Sequence, residues 1–401
     1  MCLRLVLFEF LGRSARSAQR CGAIGGLLWT NISSNNAVRQ RDGPTTKILG
    51  WEAGNLGATT VGFLVLVMSP AISAIDHQER PVTDLVCEVC GNTSGNLRHV
   101  AREMMFGLRT EFDYLECGAC GCLRLLSVPQ DWGRYYPSEY EAFKLPCGAA
   151  SPWQRVRLHL RMKRNESYFQ SRAYIGKFLA GRIDCPELRA FSLIGVDRSA
   201  KILDVGCGYG KLLLDLRELG YRHLLGLDCF LPVSVDYGEC VRVRRMELSG
   251  LDETSWDVIM FHHSFEHMSE PHATLSSVAR LMSRDGCCLI RIPVVAWSWE
   301  RYGVNWVQLD APRHQFLYTE RGFRLLAESA GLKVTRVHYD STSIQFWGSE
   351  LYARNIAQRE TDWRNPRKVF SRGQIQAFES GARDLNDSFQ GDQAAFYLVR
   401  V

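Results

Sequence analysis

The 401-residue sequence lacks a strong charge of either sign, since 48 Lys and Arg against 43 Asp and Glu leave only +5 at pH 7. So mild a balance is not the concentrated basic face that a nucleic-acid backbone requires. Long apolar runs are scarce too. Residues 56–75 are uncharged, but only 63–68 are strongly apolar, and Gly57, Gly62, Ser69, Pro70 and Ser73 dilute the rest. A membrane-spanning helix needs about 20 predominantly apolar residues, so a membrane is not an expected partner. The apolar stretch also starts far from Met1 with no short basic region leading it, which argues against a signal peptide. Fourteen cysteines are too thinly spread for a disulfide scaffold. Their uneven placement suits a reducing, cytoplasmic setting, where paired thiols stay available for metal.

What is present is a globular composition, 46% apolar and 23% charged. Residues 1–80 show no sustained periodicity and read as a disordered extension, or as a stretch ahead of a later start such as Met68. Residues 81–130 hold a small cysteine module. Residues 131–195 read as a helical connector that caps the substrate side, beginning with the aromatic Tyr135-Tyr136-Pro137 and followed by helical spacing over 153–193. The basic run at 155–164 fits a solvated helix face. From 196 to 401, short apolar runs alternate with helical patterns, the signature of a parallel α/β sheet.

Cys87-Glu88-Val89-Cys90-Gly91 recurs in form as Cys117-Gly118-Ala119-Cys120-Gly121. Each C-x-x-C-G can fold into a knuckle whose glycine takes positive φ and turns backbone N–H groups toward sulfur. Four thiolates, Cys87, Cys90, Cys117 and Cys120, would complete a tetrahedral shell with no open position. Such a zinc is structural and replaces the core that a module of this size cannot build. Cys122 does not fit the spacing and is left out.

In the larger region, Ile202-Leu203-Asp204-Val205 runs into Gly206-Cys207-Gly208-Tyr209-Gly210 and then a leucine-rich helix over 211–219. A second strand, 224–228, ends in Asp228, placed to accept both hydroxyls of a ribose. The D-V-G-C-G-x-G form resembles the first motif of class I S-adenosylmethionine-dependent methyltransferases and not the dinucleotide fingerprint. An acid at the mouth of the turn suits a cofactor with a sulfonium and an ammonium in place of a pyrophosphate. The resemblance continues through a fourth strand at 256–261, the segment His262-His263-Ser264-Phe265-Glu266-His267, a fifth strand at 286–293, the Pro312-Arg313-His314 stretch, a sixth strand from 330 and an antiparallel last strand at 394–401. It is closest to a subgroup that pairs a four-cysteine zinc module with the PRH stretch.

The resemblance implies a Rossmann-like seven-stranded sheet preceded by a zinc-knuckle module. It places Asp204, Gly206, Cys207, Gly208, Gly210, Asp228 and His262 at S-adenosylmethionine. Two departures stand out: no clear acid follows strand three, Glu247 being nearest, and no further domain follows the last strand. Methyl transfer to a hydroxyl or carbon acid needs a base, and the candidates are His263, His267, which Glu266 could orient, and His314. Arg313 could instead grip an anionic acceptor. His263-x-x-Glu266-His267 with His314 also resembles the ligand set of metal-dependent O-methyltransferases, with His263 replacing a glutamate, which disfavours magnesium. The expected activity is methyl transfer to a small-molecule or sugar acceptor in polysaccharide or natural-product synthesis. An RNA methyltransferase that uses the module for grip, against which stand the near-neutral charge and the missing N-P-P-Y motif, and a non-catalytic cofactor-binding partner are the competing readings.

Overall fold

The structure is a computed structural model that describes residues 80–81, 85–137, 185–238 and 240–401. The apolar stretch at 56–75, the alternative start at Met68 and most of the expected connector helix lie outside the described residues. Among the described residues, no helix is long and apolar enough to cross a membrane.

Strands β1 (Arg80–Pro81), β2 (Leu97–Arg102), β3 (Glu111–Glu116) and β4 (Leu123–Leu125) form an antiparallel meander around the two cysteine knuckles. Helix α1 (Pro186–Ser192) then leads into β5 (Lys201–Val205), α2 (Lys211–Glu218), β6 (His223–Leu227), β7 (Val235–Asp236) and β8 (Val241–Arg244). After these come β9 (Trp256–His262), α3 (Pro271–Leu281), β10 (Met282–Pro293), α4 (Trp297–Tyr302) and β11 (Phe316–Leu317). The chain closes with α5 (Glu320–Ser329), β12 (Leu332–Tyr339), α6 (Ile344–Ala353), α7 (Arg372–Asp387) and β13 (Gln393–Arg400).

The main sheet runs β12-β13-β10-β9-β5-β6-β8-β7. The seven expected strands are present, and the two-residue β7 adds an eighth at the edge. Strands β8, β6, β5, β9 and β10 are parallel, while β13 runs antiparallel between β10 and β12. Both faces are covered, which is why β5 and β6 read as almost unbroken apolar runs instead of alternating ones. Strand order reverses direction between β5 and β9. Such a switch point opens a crevice at the carboxyl ends of the strands, and the glycine turn lies there.

The cysteine module does not stand apart. After β10 the chain crosses into the module, where β11 pairs with β4 as the fifth strand of the small sheet. Beneath this pairing, Met104, Phe112, Tyr114 and Leu123 share one core with Val295, Trp299, Trp306 and Tyr352. Burial on this scale, at roughly 25 cal/mol per Å² of apolar surface, holds the module in place.

Candidate active site

The glycine turn is built by sterics. Gly206 has φ +74°, and a Cβ there would collide with the Cβ of Ser264, whose hydroxyl donates to the Val205 carbonyl at 2.6 Å. Gly210, also left-handed at φ +74°, caps α2. Between them Gly208 N donates to Asp228 Oδ2 at 2.9 Å, and Phe230 N donates to Oδ1 at 2.9 Å. The turn, Asp204 near the end of β5 and Asp228 just past β6 thus converge, and His262 ends the adjoining strand β9. Cys207 contributes backbone to the turn, while its thiol packs toward Gly226.

Burial dominates the electrostatics of the crevice. Burial, then the neighbouring charges of Asp228 and Glu187, push the Asp204 carboxyl up to about 8. Burial also raises Asp228, against the pull of its backbone N–H donors. Among the described residues His262 has no hydrogen-bond partner on either ring nitrogen, and burial together with nearby Arg291 lowers it to about 3, so it is neutral.

Beyond β9 lies a second cluster. Glu266 is fully buried, and one atom each from Glu266, His267 and His314 can lie within 4.8 Å of one another. The two imidazoles stand edge to face with centroids 4.8 Å apart. His267 Nδ1 donates to the Arg313 carbonyl at 2.7 Å and lies 3.2 Å from the Tyr136 hydroxyl. The Arg313 carbonyl, rather than Glu266, therefore orients His267. His314 Nδ1 donates to the Gln308 carbonyl at 2.8 Å, and burial, then His267, lower the ring to about 4. Burial works to raise Glu266, but the His263 contact and the surrounding imidazoles hold it down, at about 2.

Two expectations are corrected here. Arg313 cannot grip an acceptor, because it has no exposed surface and its guanidinium binds Asp310 and Glu103. His263 cannot supply a metal ligand. Its Nε2 accepts from Arg291 at 2.6 Å, so its one lone pair is taken, and Nδ1, which then carries the proton, faces Glu266 Oε1 at 3.4 Å. Among the aromatic residues around the cluster, Tyr135, Trp299 and Trp306 are core. Tyr136 is different: its ring stacks against Phe230, centroids 5.9 Å apart, and its hydroxyl reaches His267. It bridges the cofactor side and the histidine side. The aromatic run around it was the signal in the sequence, but its partners lie about a hundred residues or more away.

The four cysteines form the other constellation. Cys87 Sγ lies 3.7 Å from Cys120 Sγ and Cys90 Sγ lies 3.6 Å from Cys117 Sγ, too far for disulfides. A tetrahedron with zinc to sulfur distances of about 2.3 Å has edges of roughly 3.8 Å, so the spacing fits a four-thiolate shell. Gly91 and Gly121 have φ of +74° and +71°, and Ala119 N and Cys120 N each donate to Cys117 Sγ at 3.4 Å. This is the knuckle geometry expected from the motif. Cys122 faces Thr319 outside the four-sulfur group.

The parallel sheet with its reversal at the glycine turn, and a turn lined by acids, make a Rossmann-like α/β domain. Residues 177–337 match a family model described as "Methyltransferase domain". A ubiquinone biosynthesis O-methyltransferase from Maricaulis maris is 29% identical over 134 residues, which cover 29% of this chain and 51% of that protein. The chain thus spans about half the length of this curated relative. Among solved structures, a TehB-like S-adenosylmethionine-dependent methyltransferase from Corynebacterium glutamicum is similar at 18% identity over 60% of this chain and 99% of its own, with a TM-score of 0.32. The 1,6-didemethyltoxoflavin-N1-methyltransferase of Burkholderia thailandensis, solved with 1,6-didemethyltoxoflavin and S-adenosylhomocysteine, is similar at 16% identity over 64% and 92%, with a TM-score of 0.32.

Proposed function

We propose that the chain transfers a methyl group from S-adenosylmethionine to a small-molecule or sugar acceptor, with His267 as general base and the four cysteines holding a structural zinc. The observation that carries this is the adjacency of two unlike sites. An acid-lined glycine turn suited to a cationic cofactor opens next to a cluster containing a histidine whose tautomer is set for proton abstraction.

When bound, S-adenosylmethionine supplies an electrophilic methyl on a sulfonium. Asp204 would face its cationic methionine end and Asp228 its ribose, with Gly206, Gly208 and Gly210 giving close backbone approach. Because Nδ1 of His267 donates to a carbonyl, its Nε2 carries the lone pair and can take the acceptor's proton as the acceptor atom attacks in line. His314 stays neutral beside it, and Glu266 balances the imidazolium that forms. Tyr136, stacked on Phe230, closes the path between the sites and helps exclude water.

The domain division belongs to the same reading: 81–130 as zinc module, 131–195 as substrate-side cap and 196–401 as the catalytic domain, in a cytoplasmic enzyme. Labelled-methyl transfer to fractionated extracts tests it. Label entering small molecules that depend on His267 supports it. Label entering RNA, or tight cofactor binding with no transfer that His267→Ala could abolish, would replace it with one of the competing readings.

A further inference from the structure

The acceptor side of the site has an uncommon property, which is that Glu266, His267 and His314 all present acceptors, with the hydroxyls of Tyr136 and Tyr318 able to donate as well as accept nearby. Glu266 has no exposed surface, and among the described residues neither of its oxygens has a hydrogen-bond partner; the nearest imidazole is His263, with Nδ1 at 3.4 Å. A buried carboxylate left in this state needs a donor from outside the chain. Backbone carbonyls take Nδ1–H of both His267 and His314, which leaves each Nε2 as a bare acceptor.

The supports behind the cluster enforce the same sense. Arg291 is 3% exposed, paired with Asp340 at 2.7 Å, and donates to His263 Nε2 at 2.6 Å. A guanidinium can only donate, so the His263 proton sits on Nδ1 and is directed at Glu266. To place its ring there, His263 adopts φ +53°, a left-handed conformation uncommon outside glycine. Asp310 Oδ2 lies 3.8 Å from His314 Nε2, but Arg313 already holds both Asp310 oxygens. The cations near the site, Arg291 and Arg313, are thereby turned away from it and committed to acids.

We infer that the acceptor side takes a neutral or cationic group rich in hydrogen-bond donors, best met by the paired hydroxyls of a vicinal diol, and refuses phosphate and carboxylate, because Glu266, His267 and His314 offer it acceptors alone. The inference rests on the methyltransferase reading for its meaning as substrate class, but the arrangement itself does not depend on that reading. Two adjacent hydroxyls can bridge two of the three acceptors at once. One hydroxyl is then held while the other gives its proton to His267. An anion would instead meet the buried negative charge of Glu266 while both nearby arginines are already committed to acids.

The test uses the full chain, with and without S-adenosylhomocysteine, so that a failed cofactor reading is seen separately. Long-range proton-nitrogen spectra at mildly alkaline pH should show the Nδ1–H tautomer for His263, His267 and His314. An Nε2–H tautomer or an imidazolium at His267 or His314 would overturn the inference. Addition of cis-1,2-cyclohexanediol should shift the His267 and His314 signals, while inorganic phosphate should leave them in place. In Glu266→Gln, where a donor replaces an acceptor, the diol should titrate about tenfold more weakly. Phosphate-induced shifts, or a diol that moves neither histidine, would overturn it. So would a divalent metal retained by the wild type and lost in Glu266→Gln with all four cysteines intact, since a bound cation would turn the cluster toward anions.

Discussion

Arg313 and Glu103, both without exposed surface, form an ion pair at 3.0 Å across the junction of the cysteine module and the α/β domain. Glu103 also accepts from the backbone of Phe106 and Leu108, and Arg313 reaches the Tyr135 carbonyl, so the pair ties three segments together. Arginine in the PRH stretch is therefore a structural fastener, and its own carbonyl orients His267. Removing one partner strands a buried charge. Arg313→Met should lower unfolding stability in urea by about 3 to 5 kcal/mol, and Glu103→Gln together with it should recover part of the loss. Equal stability of wild type and Arg313→Met would show that the pair holds nothing.

Asp228 binds the turn through Gly208 and Phe230 with one oxygen each, leaving lone pairs on both directed to the crevice. If these meet a ribose, Asp228→Ala should weaken S-adenosylhomocysteine binding about tenfold to a hundredfold by calorimetry, the value of charge-assisted hydrogen bonds. The fold should persist, as shown by an unchanged far-ultraviolet spectrum. Undiminished affinity would move the ribose elsewhere.

Much of this fold was legible because the signals are local. The run from Ile202 to Gly210 declares strand, turn and helix within ten residues, and the two C-x-x-C-G knuckles repeat the same local geometry. The parallel strands were visible as apolar runs because both their faces are buried. What stayed hidden depends on distant pairing. Phe316 and Leu317 carry no strand signal of their own, and they become β11 only because β4 offers an open edge. Arg313 looked like an anion grip because a sequence does not show which charges are buried against partners 210 residues away. Likewise Glu266 seemed placed to orient its neighbour His267, whereas its closest imidazole is His263, whose tautomer depends on Arg291 on the next strand.

His314 is held neutral by burial and by His267, its native value lowered to about 4 from an ordinary 6.5. A histidine with a depressed native pKa binds fewer protons folded than unfolded. Its contribution is complete above about pH 6.5 and is lost as pH falls toward 4. His314→Asn keeps a donor to the Gln308 carbonyl but does not titrate. Between pH 7 and 4.5 the wild type should therefore lose more stability than this variant, by an amount on the order of 2 to 3 kcal/mol. Parallel losses in urea midpoints would place the acid sensitivity at other groups.

The cysteine shell should reach the active site through backbone. Thr319 donates to the Cys120 carbonyl at 2.6 Å, Leu125 N donates to the Gln315 carbonyl at 2.8 Å, and Gln315 in turn bonds the Glu266 carbonyl through its N–H at 2.8 Å and the His267 carbonyl through its side chain at 2.7 Å. Loss of the metal would release four thiolates from one another and loosen β4, and with it β11 and Gln315. Purified protein should carry about one zinc, and Cys117→Ser should lower that content and destabilise the fold, as structural zinc does. Hydrogen exchange resolves the route: amides of 123–125 and 314–318 should lose protection in Cys117→Ser while those of β5 and β6 hold theirs. Uniform loss across both sheets, or none at 314–318, would show that the knuckles do not support the catalytic loop.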